Sequence, residues 1–442
     1  MVTSQIRIKA EHFRAISNAD IVIDGITVVA GENGCGKSTL SKLLYFFYKT
    51  ASNYNSLVSR DLKFNLKDIE RFLEIIISEI HAVSNERNTR EEFEELRNLR
   101  RSLEDLQEED MMKWVSFVQK IENNYYSQPS LFKEKLPLNS RISNRLKFIV
   151  RDILKLNDEN STFDNTNVLP FDRVIKLIEE RFHEAFDKIK LRPTSLFVQA
   201  LENAFTGGEL PGKFEVFEFD EQIVSMKRNT LSIPYIVQNV IYIDTPMAIG
   251  IEDSNIEYWE DLNELLHKKG KTSFSDLSKI ISDQVIRGDV SLDDKPIAIS
   301  DFSFKRSDGS IYNLLDVATG VKSFAILQLL IKNGSLSDKT LLIMDEPESH
   351  LHPQWIIEYA RLIVLLNKEI GVKFFIASHN PDMVSALKYI TEKEGTENTL
   401  NYYLAEKNKS AFLYNYRHLG TNIDPIFKSF NIAMDRITKY GS

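Results

Sequence analysis

Gly31-Glu-Asn-Gly-Cys-Gly-Lys-Ser38 follows the apolar run Ile26-Thr-Val-Val-Ala30 and precedes Thr39 to Tyr48, whose apolar residues recur with helical spacing. Strand, Gly-x-x-x-x-Gly-Lys-Ser, helix is the phosphate-loop order, and the flanks matter as much as the pattern. Gly31, Gly34 and Gly36 allow backbone conformations that a Cβ would close, so successive N–H groups can converge on phosphate oxygens. The helix start at Lys37 to Thr39 adds its positive dipole end to the same anion. The Lys37 ammonium is placed for the β- and γ-phosphates and the Ser38 hydroxyl for Mg²⁺. Gly31, Glu32, Asn33, Gly34, Cys35, Gly36, Lys37, Ser38 and Thr39 therefore read as a nucleotide cradle, with ATP and Mg²⁺ as its ligands. Cys35 is the one cysteine of the chain and occupies a free position of the loop. It reads as a tolerated small residue rather than a redox thiol, lying among the phosphate-binding amides and open to alkylation.

A second segment, Leu341-Leu-Ile-Met-Asp-Glu346, supplies what the loop lacks. Leu341 to Met344 read as a buried strand that delivers Asp345 and Glu346 at its carboxyl end, where ligands sit in open α/β sheets. Asp345 is placed to bind Mg²⁺, directly or through water, and Glu346 to act as general base on the attacking water. The chain continues as Glu346-Pro-Glu-Ser-His-Leu-His-Pro353, a helical stretch, and the apolar strand Val372-Lys-Phe-Phe-Ile-Ala377 ending in Ser378-His379. A histidine one strand beyond the acidic pair is well placed to sense the γ-phosphate. Lys37, Glu346 and His379 are thus the candidate catalytic residues.

With these residues the chain resembles the ABC-type ATPases of the SMC, RecF and OLD kind, over residues 1 to about 50 and about 213 to the end. The resemblance implies an α/β fold, a P-loop ABC-type ATPase head carrying a mainly α-helical insertion. It makes Arg14, in Glu11-His-Phe-Arg-Ala15, a nucleotide-proximal residue, Ser349 to His352 the D-loop, and His379 the switch histidine. It also makes Val317-Ala-Thr-Gly-Val-Lys-Ser323 the signature, in which Thr319 keeps the hydroxyl and Gly320 the close backbone approach while Val321 and Lys322 replace Gly and Gln. In a head-to-tail homodimer of this kind, Thr319 and Gly320 of one subunit complete the ATP site of the other. Gln238, beside Val240-Ile-Tyr-Ile-Asp244, reads either as the Q-loop residue toward Mg²⁺ or as an ordinary surface glutamine. His350 and His352 with Glu348 read as a D-loop contact set or as a metal group.

The 442 residues suffice for more than one sizeable core, and 43% hydrophobic content is that of a globular protein. One cysteine excludes an internal disulfide framework and suits a reducing compartment. The start, Met1-Val-Thr-Ser-Gln-Ile-Arg-Ile-Lys9, alternates like a strand, and no apolar run approaches the roughly 20 residues that span a bilayer. The expected location is the cytoplasm, with no membrane partner.

Domain expectations follow from the landmarks: residues 1–50 as the first part of the head, 51–212 as a helical insertion closed by Thr206-Gly-Gly-Glu-Leu-Pro-Gly212, and 213–442 as the rest of the head. Leu96, Leu99, Leu103 and Leu106 hold heptad spacing for about two heptads before Asp110 and Lys113 break it, too short for a long coiled-coil arm. A Toprim nuclease needs an Asp-x-Asp pair, and Asp382, Asp424 and Asp435 are too scattered to make one. Stand-alone ATPases with Asp-Glu-Pro-Glu-x-His-Leu-His-Pro resemble the ATPase subunits of bacterial anti-phage systems such as Septu and PARIS, which hold a separate nuclease effector. A RecF-like DNA-repair ATPase and a nucleotide-gated scaffold with weak hydrolysis are the other readings.

The net charge of −9 argues against a surface that tracks nucleic acid everywhere, yet residues 131–155 carry seven basic residues (Lys133, Lys135, Arg141, Arg145, Lys147, Arg151, Lys155) against Glu134 and Asp152. This segment is either a solvated helix face or a surface for DNA or a partner protein. If it meets DNA, binding weakens steeply with salt, and neutralising Arg141, Arg145, Lys147 and Arg151 lowers the slope of log affinity against log salt. Unchanged binding in that variant, measured by anisotropy across a salt series, returns the segment to a solvated face.

Overall fold

Two kinds of strand build the main sheet, and their burial separates them. The computed structural model describes residues 6–84, 89–128, 149, 169–205, 207–226, 228–250, 256–270, 275–292, 302–408, 412–428 and 438–440. The basic residues from Lys133 to Lys155 lie outside them. β1 (Ile6–Phe13), β2 (Ile16–Ile23) and β4 (Lys213–Glu218) alternate buried and more exposed residues, as strands with one wet face do. β3 (Ile26–Ala30) and β11 (Thr340–Asp345) are buried at every position, because helices cover both faces of their part of the sheet.

The remaining strands are β5 (Glu221–Ser225), β6 (Thr230–Leu231), β7 (Asn239–Ile243), β8 (Gly288–Leu292), β9 (Phe302–Arg306), β10 (Ile311–Asn313), β12 (Lys373–Ser378), β13 (Leu400–Lys407) and β14 (Tyr414–Gly420). Among the described residues, eleven strands form one sheet in the order β6-β5-β4-β1-β2-β14-β13-β3-β12-β11-β7, and β10-β9-β8 form a second. From β6 to β2 every pairing is antiparallel. From β13 through β3, β12 and β11 to β7 every pairing is parallel. Parallel neighbours need crossovers, and the helix Pro353–Ile370 makes one between β11 and β12. That helix starts on Pro353 with His352 as its cap and stops at Gly371, whose φ of 84° a β-carbon would strain.

Helix Lys37–Ser52 is buried at twelve of its sixteen positions, so it lies inside the head rather than on its surface. Phe47 meets Phe197 and Phe214 edge to face, at 5.9 Å in both cases. Lys49, 8% exposed, is paired with Glu257 at 2.8 Å and with Asp261 of helix Glu257–Leu266. Gln328 of helix Thr319–Lys332 accepts from Val290 N at 2.9 Å, fastening the small sheet to that helix.

The chain divides into two compact units, 1–52 with 194–442, and 53–193. The expected end of the insertion at 212 therefore moves back to 193. Helix Ser195–Ala204 belongs to the head because Phe197 packs on Phe47 and Phe214. The second unit contains helices Tyr54–Ser84, Thr89–Ser102, Glu108–Tyr126 and Phe171–Leu191. Leu96, Leu99 and Leu103 are buried, and the repeat ends where the short turn Leu103–Asp105 breaks the helix and Gln107 and Asp110 form a capping box that starts the next. Its two chain ends are tied, with Tyr54 Oη donating to Pro193 O at 2.9 Å and Arg192 lying over the Tyr54 ring.

Glu218 ends β4 with a carboxylate only 2% exposed, which accepts from Tyr48 Oη and from the backbone N–H groups of Tyr235, Ile236 and Val237. These bonds fix the turn that leads into β7. Glu218→Ala leaves several buried donors unpaired and is expected to lower stability by about 3 kcal/mol, read as an earlier urea midpoint of the head. Glu218→Gln keeps one acceptor oxygen and falls between.

Candidate functional site

β3, β12 and β11 run parallel, with Ala30 opposite Ser378 and Ala377 opposite Asp345. The chain leaves these three strands at almost one level, which gathers the phosphate loop, His379 and the two acids on a single sheet edge. Glu32, Asn33, Gly34 and Ser38 are exposed on the rim, whereas Lys37 is 5% exposed. Lys37 Nζ donates to Gly31 O at 2.9 Å and Glu32 O at 3.0 Å, so the ammonium is drawn into the loop it serves. Gly34 and Gly36 have φ of 79° and 98°. A Cβ on Gly36 would also lie 2.9 Å from Ile16 Cγ1 and 3.1 Å from Tyr416 Oη, so this glycine is required twice over.

Cys35 differs from the sequence expectation. Its side chain is fully buried, its sulfur lies 3.9 Å from Lys37 Nζ, and its carbonyl accepts from Tyr416 Oη at 2.8 Å. Burial pushes its thiol pKa up, and the nearby Lys37 charge offsets only part of that. The residue anchors the loop from beneath, and only its backbone can face a ligand.

Arg14 sits in the two-residue turn between β1 and β2, with φ of 53°. Its guanidinium lies over the Phe205 ring at 4.8 Å, and the adjoining Ala15 and Ile16 abut Gly36. The hairpin thus presents Arg14 beside the phosphate loop.

Asp345 is 9% exposed, accepts from Tyr242 Oη at 3.1 Å, and has the Ser38 hydroxyl near enough to favour its charged form. Burial raises its pKa, and those two hydroxyls work against the rise. Oδ1 of the same carboxylate is buried without a hydrogen-bond partner. An orphan carboxylate oxygen next to a serine hydroxyl is an oxygen donor set that suits a hard divalent cation. Ser38 and Asp345 therefore fit Mg²⁺. Among the described residues no group of three or more His, Cys, Asp or Glu could hold a metal by itself, so the pair His350 and His352 with Glu348 makes no metal group. His352 instead caps the helix Pro353–Ile370, and His350 is exposed with φ of 68°.

Glu346 takes φ of 51° directly after β11, a left-handed conformation that costs a residue with a side chain about 1 kcal/mol. Its N–H donates to Ala377 O at 2.8 Å, and its Oε1 lies 3.1 Å from His379 Nδ1. Glu348 is 6% exposed and accepts from Ser378 Oγ at 2.7 Å and His379 N at 3.3 Å.

Two residues fall away from this edge. Gln238 is exposed, and its N–H donates to Lys339 O before β7 begins. β7 pairs with β11 from Asn239 opposite Thr340 to Ile243 opposite Met344, so Asp244, not Gln238, reaches the level of Asp345. Six residues of extended chain separate Gln238 from that level, roughly 20 Å, which excludes it as a Q-loop or Mg²⁺ residue. Gly320 is buried inside its own subunit, where a Cβ would lie 2.9 Å from the Trp355 ring and 3.5 Å from His350 O. Its small size serves this packing. Thr319, half-buried at the start of helix Thr319–Lys332, is left as the signature residue at the surface, and Lys322 Nζ turns inward to Leu315 O at 2.6 Å.

A phosphate loop on β3, an acidic pair on β11 and a histidine on the strand between them define a P-loop ATPase head. The chain belongs to the AAA ATPase domain family, whose model matches residues 1–384. This agrees with the P-loop ATPase reading of the motifs. No curated protein matches the sequence. Among solved structures, an SMC head bound to the C-terminal winged-helix domain of ScpA is similar at 10% identity, 96% of this chain, 99% of that chain and a TM-score of 0.38. An SMC head with an extended coiled coil bound to the C-terminal domain of ScpA, from Pyrococcus furiosus, is similar at 11% identity, 99% of each chain and a TM-score of 0.31. No helix among the described residues is long and apolar enough to cross a membrane.

The buried thiol gives a test of the loop. Cys35 is expected to react with a maleimide far more slowly in the folded protein than in urea. Because its pKa is raised, the residual native rate should keep climbing with pH beyond the usual thiol range. A native rate equal to that of the unfolded chain at pH 7 contradicts the buried placement.

Proposed function

We propose that this chain binds ATP with Mg²⁺ and hydrolyses it between the heads of a head-to-tail homodimer, and that this cycle controls a separate nuclease effector in anti-phage defence. The observation that carries the ATPase reading is the Asp345 carboxylate, beside the Ser38 hydroxyl and left with a buried unpartnered oxygen, one residue before a glutamate whose Oε1 lies 3.1 Å from His379 Nδ1. The finer reading rests on the run Asp345-Glu-Pro-Glu-Ser-His-Leu-His-Pro353 and its resemblance to stand-alone defence ATPases.

Amides of Gly34 to Thr39 and the Lys37 ammonium would hold the β- and γ-phosphates, while Ser38 and Asp345 would hold the cation. When bound, Mg²⁺ supplies positive charge against the phosphate oxygens. Glu346 takes a proton from water as the water oxygen bonds to the γ-phosphorus. The bond from that phosphorus to the β,γ-bridging oxygen breaks, and ADP leaves with the electron pair. His379 orients Glu346 and meets the γ-phosphate. Thr319 of the second subunit closes the site from outside.

Glu346→Gln keeps the size and loses the basicity, so it should bind ATP, form a dimer and turn over at least about 100-fold more slowly. Adding Thr319→Glu places a negative charge at a helix start, where the fold tolerates it, but against the γ-phosphate of the partner's ATP, and should return the protein to monomer with ATP still bound. Lys37→Ala should bind no ATP and stay monomeric. Light scattering and calorimetry with Mg-ATP read all three variants, and normal turnover by Glu346→Gln sinks the reading. Purification with the products of neighbouring genes tests for the effector.

A further inference from the structure

We infer that Glu348 is a positioning residue for hydrolysis: a buried clamp that fixes the end of β12 and thereby holds the His379 imidazole against Glu346. The inference rests on the ATPase reading above and adds a residue to it.

Glu348 follows the acidic pair by two residues and is the last buried residue before the segment 349–352. One of its oxygens does two things at once, accepting from Ser378 Oγ at 2.7 Å and from His379 N at 3.3 Å. Its other oxygen, Oε2, is buried with no partner. A carboxylate so placed costs the fold free energy that a small apolar residue would not, so stability does not explain it. What it does explain is geometry. The same Oε1 stands 3.9 Å from His379 Nδ1, and Glu346 Oε1 stands 3.1 Å from that nitrogen, which is buried and makes no hydrogen bond.

The turn 346–351 is cross-linked to the end of β12 at two points. Glu346 N donates to Ala377 O at 2.8 Å, which fixes the backbone of the base. The Glu348 carboxylate then fixes Ser378 and the backbone of His379, the next two residues of the opposing strand. Within the turn, Ser349 N donates to Glu346 O and Leu351 N to Glu348 O, so the two cross-links move as one body. Without Glu348 the buried Ser378 hydroxyl, which also accepts from Asn380 N at 3.1 Å, would have no acceptor for its own proton, and the His379 N–H that sets its ring 3.1 Å from the base would lose its partner. Because Glu348 makes no hydrogen bond to the phosphate loop, its loss acts on the chemical step and not on ATP affinity.

The test compares Glu348→Ala, Glu348→Gln and Ser378→Ala in the full chain. Glu348→Ala is expected to lower kcat by about 10- to 100-fold with KM for ATP unchanged. Glu348→Gln keeps an acceptor oxygen and should restore kcat to within about 3-fold of wild type, while Ser378→Ala should fall between and add little in combination with Glu348→Ala. A second readout needs no turnover: in protein carrying ¹³C-labelled histidine, the His379 resonance, assigned by its loss in His379→Gln, should shift or broaden in Glu348→Ala and return in Glu348→Gln. An unshifted resonance with unchanged kcat in Glu348→Ala or Ser378→Ala overturns the inference. So does a loss that appears equally in KM, which marks a general structural role. If Glu348→Ala does not fold, Ser378→Ala and Glu348→Gln still decide. Wild-type protein that hydrolyses no ATP fails the ATPase reading instead, and the resonance still judges the clamp.

Discussion

The in-register parallel pairing of β12 between β3 and β11 is the constraint on which the site depends. Ala30 opposite Ser378 and Ala377 opposite Asp345 bring three chain exits to one level. Side chains alternate along a strand, so a slip of one residue would turn Asp345 to the other face and bury Met344 among polar groups. What opposes the slip is the change from apolar Met344 to charged Asp345 at the end of the run, because Leu341 to Met344 is buried at every position and would fit either face. The end of the apolar run thus sets the position of the chemistry to within one residue's rise, although none of the apolar residues takes part in it.

At that edge the fold accepts charges it would exclude elsewhere. Asp345 and Glu348 are both nearly buried, and each keeps an oxygen with no hydrogen-bond partner. Burial raises the pKa of both, so the folded state holds protons that the unfolded chain releases. With more protons bound in the native state, the contribution of these groups to stability falls as pH rises through and above the carboxylate range. Tyr242 and Ser378 recover part of that cost as donors. Such an arrangement is retained where an oxygen must face a cation or a base must be aimed.

The phosphate loop and the acidic pair were legible because each needs a fixed spacing of small or charged residues at a strand end, and spacing is what a sequence displays. Gln238 misled because a glutamine beside a strand does not say at which end of the strand the site lies; only the pairing of Asn239 with Thr340 decides that. Gly320 misled for a related reason. A glycine at a helix start can admit a partner's phosphate or the Trp355 ring of its own subunit, and the residues around it in sequence are the same in both cases. The boundary at 193 was hidden because the glycine-rich turn near 206–212 is the louder signal, while helix Ser195–Ala204 is committed to the head by the ring of Phe197. Tyr242 and Tyr416 carried no signal at all, since their roles come from strands paired across the sheet.

The antiparallel half of the sheet shows why the head is larger than the parallel strands require. Ile16 of β2, Ala405 of β13 and Tyr416 of β14 form the floor beneath the phosphate loop, and the β1–β2 turn brings Arg14 to its side. The loop itself has few intrinsic restraints, since three of its residues are glycines with many accessible conformations. Contact at Gly31 and Gly36, together with the bond from Tyr416 to the Cys35 carbonyl, removes most of that freedom in advance. The entropy of ordering the amides is then met during folding and not at each binding event, which leaves more of the interaction with a phosphate as net affinity. A buried thiol at Cys35 follows from the same requirement: the loop is held from below, so this position points inward while Glu32 and Asn33 face out.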